Sequence, residues 1–172
     1  MKRPRRILIN IIVLGVLFVL FCYVQNLYLR PLSSHKDIER IMHYGPSKVV
    51  HTENYSDGKL MLCKYDKWVT CGIIPRKFFF LWGLSGTYIF EYDKTKAISY
   101  KSDYSNALGV IYGVVNNPNI KKIDVLLADG KVLSTTTFYD NMFLFSWKFS
   151  YESQNSPRMV IGYDSNGKVI PY

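Results

Sequence analysis

The sequence predicts a mainly β fold (α+β by count of elements). An antiparallel β-sandwich or twisted sheet built from hairpins follows a transmembrane helix and a short juxtamembrane helix. Three observations predict it. One apolar run occupies Ile7 to Leu29; beyond Pro46 the apolar residues recur at a period of two between turn dipeptides; and aromatic residues reach 16%, with 14 Tyr and 10 Phe. Flat rings pack well on a half-buried pleated surface, and alternation over short runs marks a strand with one buried face. A chain of 172 residues, 48% hydrophobic and 20% charged, fits one modest domain. The division expected is a basic tail over 1–6, an anchor over 7–29, a linker with its helix over 30–46 and an extracytoplasmic β domain over 47–172.

The anchor comes first. ILINIIVLGVLFVLFCYVQNLYL follows MKRPRR, and as a helix rising about 1.5 Å per residue it is roughly 33 Å long, against a hydrocarbon core of roughly 30 Å. Asn10 lies near one end, where its amide reaches water, and Tyr23 and Tyr28 suit the far headgroup region. Lys2, Arg3, Arg5 and Arg6 precede the run, whereas Arg30 and Lys36 are the nearest basic groups after it. Retention of positive charge in the cytoplasm therefore places the amino terminus inside and the rest of the chain outside. A cleaved secretory signal has a shorter apolar region and small residues before the cut, and neither is present here. Lipid attachment at Cys22 meets the bulky ring of Phe21 where such processing wants a small residue.

Five of the 22 Lys and Arg belong to the anchor and its flanks, and all 13 Asp and Glu lie beyond it; the exported part thus carries 17 basic and 13 acidic groups, a balance of +4. The overall charge of +9 is therefore no sign of nucleic acid. The partners expected are the membrane itself and an envelope polymer or another membrane protein.

In SSHKDIERIMHYGP, Ser34 caps a short helix with Asp37 as its capping-box partner; Ile38, Ile41 and Met42 recur at helical spacing, and Gly45-Pro46 ends it. KVVHTENY, a turn at Ser56 to Gly58 and KLMLCKY then predict a hairpin, with WVTCGIIPRKFFFLW returning after Asp66-Lys67. Pro75 marks an edge, bulge or break. GTYIFEYD and KAISYKS flank a turn at Asp93 to Thr95, and NALGVIYGVV ends at Asn116 to Asn119. Asp129-Gly130 and Asn166-Gly167 predict further hairpins, the first as a two-residue turn with both central positions at positive φ. In MFLFSWKFS, Phe143, Phe145, Trp147 and Phe149 share one face of a strand.

HTENYSDGKLMLCKY, the strand ending near LWG, GVIYGVVNNPNIKKIDV and IGYDSNGKVI occur in an order that resembles the small membrane-anchored or exported proteins of uncharacterised function in Bacillus-type Gram-positive bacteria. The resemblance spans most of residues 35–172. Its motifs are strands and turns, so it implies a location and a β fold but no activity. Cys63 and Cys71 fall where that pattern carries apolar strand residues, which is a departure from it.

Chemistry-bearing residues are sparse. A structural zinc site needs four N or S ligands in close pairs, but His35, His43 and His51 recur every eight residues, and seven residues separate Cys63 from Cys71. No metal and no cofactor are expected. Sortase-like transpeptidases use His, Cys and Arg in chain order behind an amino-terminal anchor, and His51, Cys71 and Arg76 imitate that order. Such enzymes place the cysteine near the end of the domain in a longer T-L-x-T-C context, which is absent here. Glu53, Glu91, Asp93 and Glu152 are available as carboxylates, with nothing in the sequence to pair them; GLSG lacks the lysine and helix of a phosphate loop. Phe143, Phe145, Trp147 and Phe149 offer an aromatic ligand surface, although such alternation more often means one core face. No catalytic signature emerges, and a non-catalytic binding module at the envelope is the leading expectation, with a thiol-dependent cell-wall enzyme as the alternative.

LCKYDKWVTCG leaves one question of register. A three-residue turn over Asp66 to Trp68 sets Cys63 opposite Cys71, close enough to bridge; a two-residue turn sets Cys63 opposite Thr70. The bridge is the favoured outcome, because disulfides persist outside the cell.

Overall fold

The computed structural model describes residues 3–25, 27–28, 47–77, 81–83, 86–105, 107–150 and 155–171. The expected juxtamembrane helix, with His35 and His43, lies outside the described residues. Helix α1 runs Arg3–Val24. Its segment Arg6–Val24 has a mean hydropathy of 2.9 and is nowhere buried by protein, so it is long and apolar enough to cross a membrane. The helix closes with the Gln25 N–H donating to the Phe21 carbonyl at 3.0 Å. It thus ends earlier than the apolar run, because Leu27–Tyr28 already form strand β1, paired with a later strand.

Among the described residues twelve further strands follow, and all of their pairs are antiparallel. They are β2 (Lys48–Tyr55), β3 (Gly58–Tyr65), β4 (Trp68–Lys77), β5 (Leu81–Gly83), β6 (Gly86–Glu91), β7 (Ile98–Ser105) and β8 (Leu108–Val115). After them come β9 (Lys122–Leu127), β10 (Val132–Thr135), β11 (Met142–Lys148), β12 (Pro157–Tyr163) and β13 (Val169–Ile170). The first sheet has the order β1-β5-β4-β3-β2, with β6 also paired to β4. A second sheet is β11-β8-β7 and a third is β10-β9-β12-β13.

Side-chain parity shows how the sheets stack. On β8, Val110, Tyr112 and Val114 pack with Met142 and Leu144 against Leu60, Leu62, Val69, Cys71 and Ile73 of the first sheet. Ile111 and Val115 point the other way and, with Phe143 and Trp147, meet Ile123, Val125, Leu127 and Val160 of the third. The middle sheet is therefore covered on both faces, and the expected sandwich carries a third layer. A strand buried on both faces reads as a continuous apolar run, which is what GVIYGVV is. Asn116 ties the connections together: its side-chain amide donates to the carbonyls of Asp93 (2.9 Å) and Lys96 (2.8 Å).

The turn at Asp129-Gly130 differs from expectation, and the turn at Asn166-Gly167 has the same form. At Asp129-Gly130 the Leu127 N–H donates to Lys131 and the Gly130 N–H to Leu127; at Asn166-Gly167 the Asp164 N–H donates to Lys168 and the Gly167 N–H to Asp164. Each loop has three residues, and only the glycine (φ 85° and 77°) is left-handed. This is the three-residue hairpin with glycine at the left-handed position, in place of the two-residue form.

Candidate functional site

The two core thiols are separated by a register that the β3–β4 turn sets. Tyr65 pairs with Trp68, so the turn is the two residues Asp66 and Lys67, with Asp66 at φ 49°. Cys63 consequently pairs with Thr70 and Cys71 with Leu62. Neighbouring positions along a strand face opposite ways, so the two sulfurs lie on opposite faces of the first sheet. The favoured Cys63–Cys71 bridge is therefore corrected: both thiols are free and buried. Burial pushes the Cys63 thiol up to about 12, only partly offset by its hydrogen bond with Thr70. Burial also raises Cys71, with the neighbouring Cys63 adding to the effect.

The sortase-like trio does not converge. His51, Leu62, Cys71 and Tyr88 form one row across β2, β3, β4 and β6. Leu62 thus stands between the imidazole and the thiol, at a backbone separation of about two strand spacings, roughly 9.6 Å. A nucleophile and its base need hydrogen-bond contact. His51 is engaged elsewhere, its ring stacked on Tyr139 at 3.5 Å and 8° and its Nε2 3.7 Å from Glu53 Oε2. Arg76 lies over Trp82, 5.1 Å from the ring centre. Cys71 itself is wholly buried and its ionised form disfavoured, the opposite of what a reactive cysteine needs.

The aromatic ligand surface is likewise corrected. Phe143, Trp147 and Phe149 are buried, and Phe145 packs against the same cluster. The Trp147 indole donates from Nε1 to the Asn155 carbonyl at 3.0 Å. Phe143, Phe145 and Trp147 thus pack between the second and third sheets, and Phe149 tilts against Tyr104 at 4.3 Å, so the row is mainly core.

The carboxylates are taken up one by one. Glu53 accepts from the Ser146 hydroxyl at 3.1 Å, Glu91 pairs with Lys67 at 2.7 Å and Asp93 accepts from the Thr95 N–H at 2.9 Å. Glu152 lies outside the described residues. Among the described residues, no group of three or more His, Cys, Asp or Glu could hold a metal ion. Among the described residues, one open hollow of about 660 Å³ is bordered by Phe90, Asp93 and Tyr100 and another of about 580 Å³ by Tyr55, Asp57 and Lys148.

One inward-facing acid carries a testable consequence. Asp103 accepts from the Tyr112 hydroxyl at 3.3 Å and lies 4.0 Å from Lys101, yet burial dominates and its pKa is raised. An acid whose folded pKa is raised destabilises the fold once ionised. That penalty is absent below the unfolded value of about 3.9, grows as pH rises from there to the raised folded value and is full above it. Asp103→Asn keeps an acceptor for Tyr112 without the charge. The variant is expected to unfold at a higher temperature than the parent at neutral pH, with the gap closing below a pH of about 4. An equal gap at both pH values would contradict the role of ionisation.

Another cationic and aromatic cluster is built around β5, the strand that pairs with β1 just after α1. Trp82 of β5 pairs with Tyr28 of β1 on one side and Arg76 of β4 on the other. Lys59 pairs with Ile74, two residues before Arg76, and its Nζ reaches 6.0 Å from the Trp82 ring centre. The Lys77 side chain runs beside Gly83. Among the described residues Lys59, Arg76 and Lys77 have no ion-pair partner, whereas Lys48, Lys67, Lys101, Lys122 and Lys131 each have an acidic one. The half-buried Trp82 is thus a platform flanked by two cations, an arrangement in which the ring's π-face attracts positive charge. Its members come from β3, β4 and β5 and meet only when those three strands pair.

Helix, sheets and ledge define a class: a β domain of three stacked sheets behind one apolar helix. Compared with known proteins, the chain matches no family model, no curated protein and no solved structure.

Proposed function

We propose that this is a single-pass membrane protein, amino terminus in the cytoplasm, whose extracytoplasmic β domain acts as a non-catalytic binding or interaction module at the cell envelope. The observation that carries the reading is the continuity between helix and sheet. A segment unburied by protein ends at Val24, and three residues later the chain is paired into the first sheet. Leaving a nineteen-residue segment of mean hydropathy 2.9 in water is costly, and a bilayer removes that cost. The basic residues before the span support the orientation. The resemblance to small anchored or exported proteins of Bacillus-type bacteria supports the same location. An envelope polymer or a second membrane protein is the partner class, since the domain's modest charge balance gives no footing for nucleic acid.

The test is fractionation and labelling of intact producing cells. The chain is expected to stay with membranes washed in alkaline carbonate and to have its domain lysines modified by an amine reagent that does not cross the bilayer. Release by carbonate would overturn the anchor; protection of the lysines would overturn the orientation.

A further inference from the structure

We propose that Lys59, Arg76 and Trp82 form a docking surface for the phosphate of an anionic lipid headgroup, in the same bilayer that α1 crosses. This rests on the anchored reading and adds a second, peripheral contact between domain and membrane.

Reach comes first. From Val24 to Leu27 is three residues, and an extended chain covers at most about 3.6 Å per residue, so β1 begins within roughly 11 Å of the helix end. The headgroup layer on each side of the hydrocarbon is itself about 5 to 8 Å deep. Among the described residues, strand β1 pairs only with β5, and β5 pairs with the last two residues of β4. Trp82 and Arg76 are therefore held one and two strands from a strand that starts at the membrane surface. Most of the domain is attached farther along the chain.

Chemistry supplies the choice of occupant. Tryptophan favours the membrane interface, where its ring meets apolar chains and its N–H meets water. A guanidinium presents a planar fork that matches phosphate oxygens in pairs, and an ammonium adds a point charge. Trp82 holds Arg76 and Lys59 over its ring at 5.1 and 6.0 Å, and neither has an ion-pair partner among the described residues. The nearest acid in sequence to Lys59 is Asp57, whose backbone carbonyl accepts the Arg76 N–H at 2.6 Å and whose carboxylate accepts from the Ser56 hydroxyl. The ledge is thus cationic and aromatic on strands that the pairing ties to the end of the helix.

The experiment uses the full chain in lipid nanodiscs, with Trp82 emission taken as the difference between the protein and its Trp82→Phe variant. Discs of phosphatidylcholine are compared with discs in which about a third of the lipid is phosphatidylglycerol. Aqueous acrylamide is expected to quench Trp82 about threefold less in the anionic discs, and Lys59→Glu with Arg76→Glu should abolish that protection. Salt at about 0.5 M should weaken it. Equal quenching in both lipids, with the chain still co-migrating with discs, overturns the headgroup proposal alone. Failure to co-migrate overturns the anchor and the proposal with it. Protection by soluble polyphosphate in phosphatidylcholine discs, with none from phosphatidylglycerol, would overturn it in favour of an envelope polymer. The lipid comparison needs no variant of the two cations, so misfolding of the charge reversals cannot rescue the idea.

Discussion

Replacing Gly113 by alanine is expected to destabilise the β domain by about 3 kcal/mol or more, at the upper end of the range for overpacking. Domains of this kind are stable by only about 5 to 15 kcal/mol, so a visible fraction would unfold at physiological temperature. Gly113 lies in β8, the central strand of the middle sheet, paired with Tyr100 on one side and Phe143 on the other. A methyl group there would fall on the Ser99 carbonyl oxygen, with the Phe143 ring and the Tyr100 Cβ each 2.8 Å away. The φ angle of Gly113 is not left-handed, so the requirement is for space. The obstructing atom is backbone, held in a strand paired along its whole length, so no side-chain rotation can relieve it. Denaturant unfolding of the full chain in detergent, followed by tryptophan emission, measures the effect; an unchanged midpoint would show that β7 yields easily.

Much of this architecture was legible in the sequence. Period-two runs separated by Ser56 to Gly58, Asp66-Lys67 and Asp93 to Thr95 became β2, β3, β4, β6 and β7, because alternation and turn chemistry are local signals. The third layer was not. GVIYGVV and MFLFSWK are apolar on both faces, and a single strand does not say which neighbours cover each face. Alternation in the second run suggests one core face and one wet face, yet Met142 and Leu144 are buried as well as Phe143. The thiols show the limit of turn reading. Tyr65-Asp66-Lys67-Trp68 contains no glycine to mark its length, and one residue of loop length moves every side chain on the strand to the other face. The hairpins at Gly130 and Gly167 were placed correctly, but their three-residue form depends on hydrogen bonds that the dipeptide does not specify. The cationic ledge was hidden for a different reason. Lys59, Arg76 and Trp82 belong to three strands, and only the β3-β4-β5 pairing brings them together.

Gly109 offers the opposite case to Gly113, and the pair tests whether steric origin decides what can be rescued. Gly109 pairs with Trp147 on β11 and with Tyr104 on β7. A methyl group on Gly109 would meet the Trp147 indole, with Nε1 at 2.7 Å, and no backbone atom is among its nearest neighbours. The indole thus lies across a glycine and is held by the Nε1 bond to Asn155 and by the edge of Tyr104, 6.1 Å between ring centres. Trp147→Ala is expected to cost about 3 to 5 kcal/mol, as for other buried aromatic truncations, and Gly109→Ala about 1 to 3 kcal/mol by displacing the ring. Once the ring is gone the methyl group has room, so the double variant should be no less stable than Trp147→Ala alone. The expected coupling is about 1 to 3 kcal/mol of non-additivity, well above the roughly 0.5 kcal/mol scatter of independent sites. Gly113→Ala should gain no such relief from Phe143→Ala, because the Ser99 carbonyl remains. Chemical unfolding of the four single and two double variants measures both cycles. Additive effects at Gly109 and Trp147, or rescue at Gly113 by Phe143→Ala, would mean that the middle sheet relaxes around its glycines and that ring-over-glycine packing does not hold it in register.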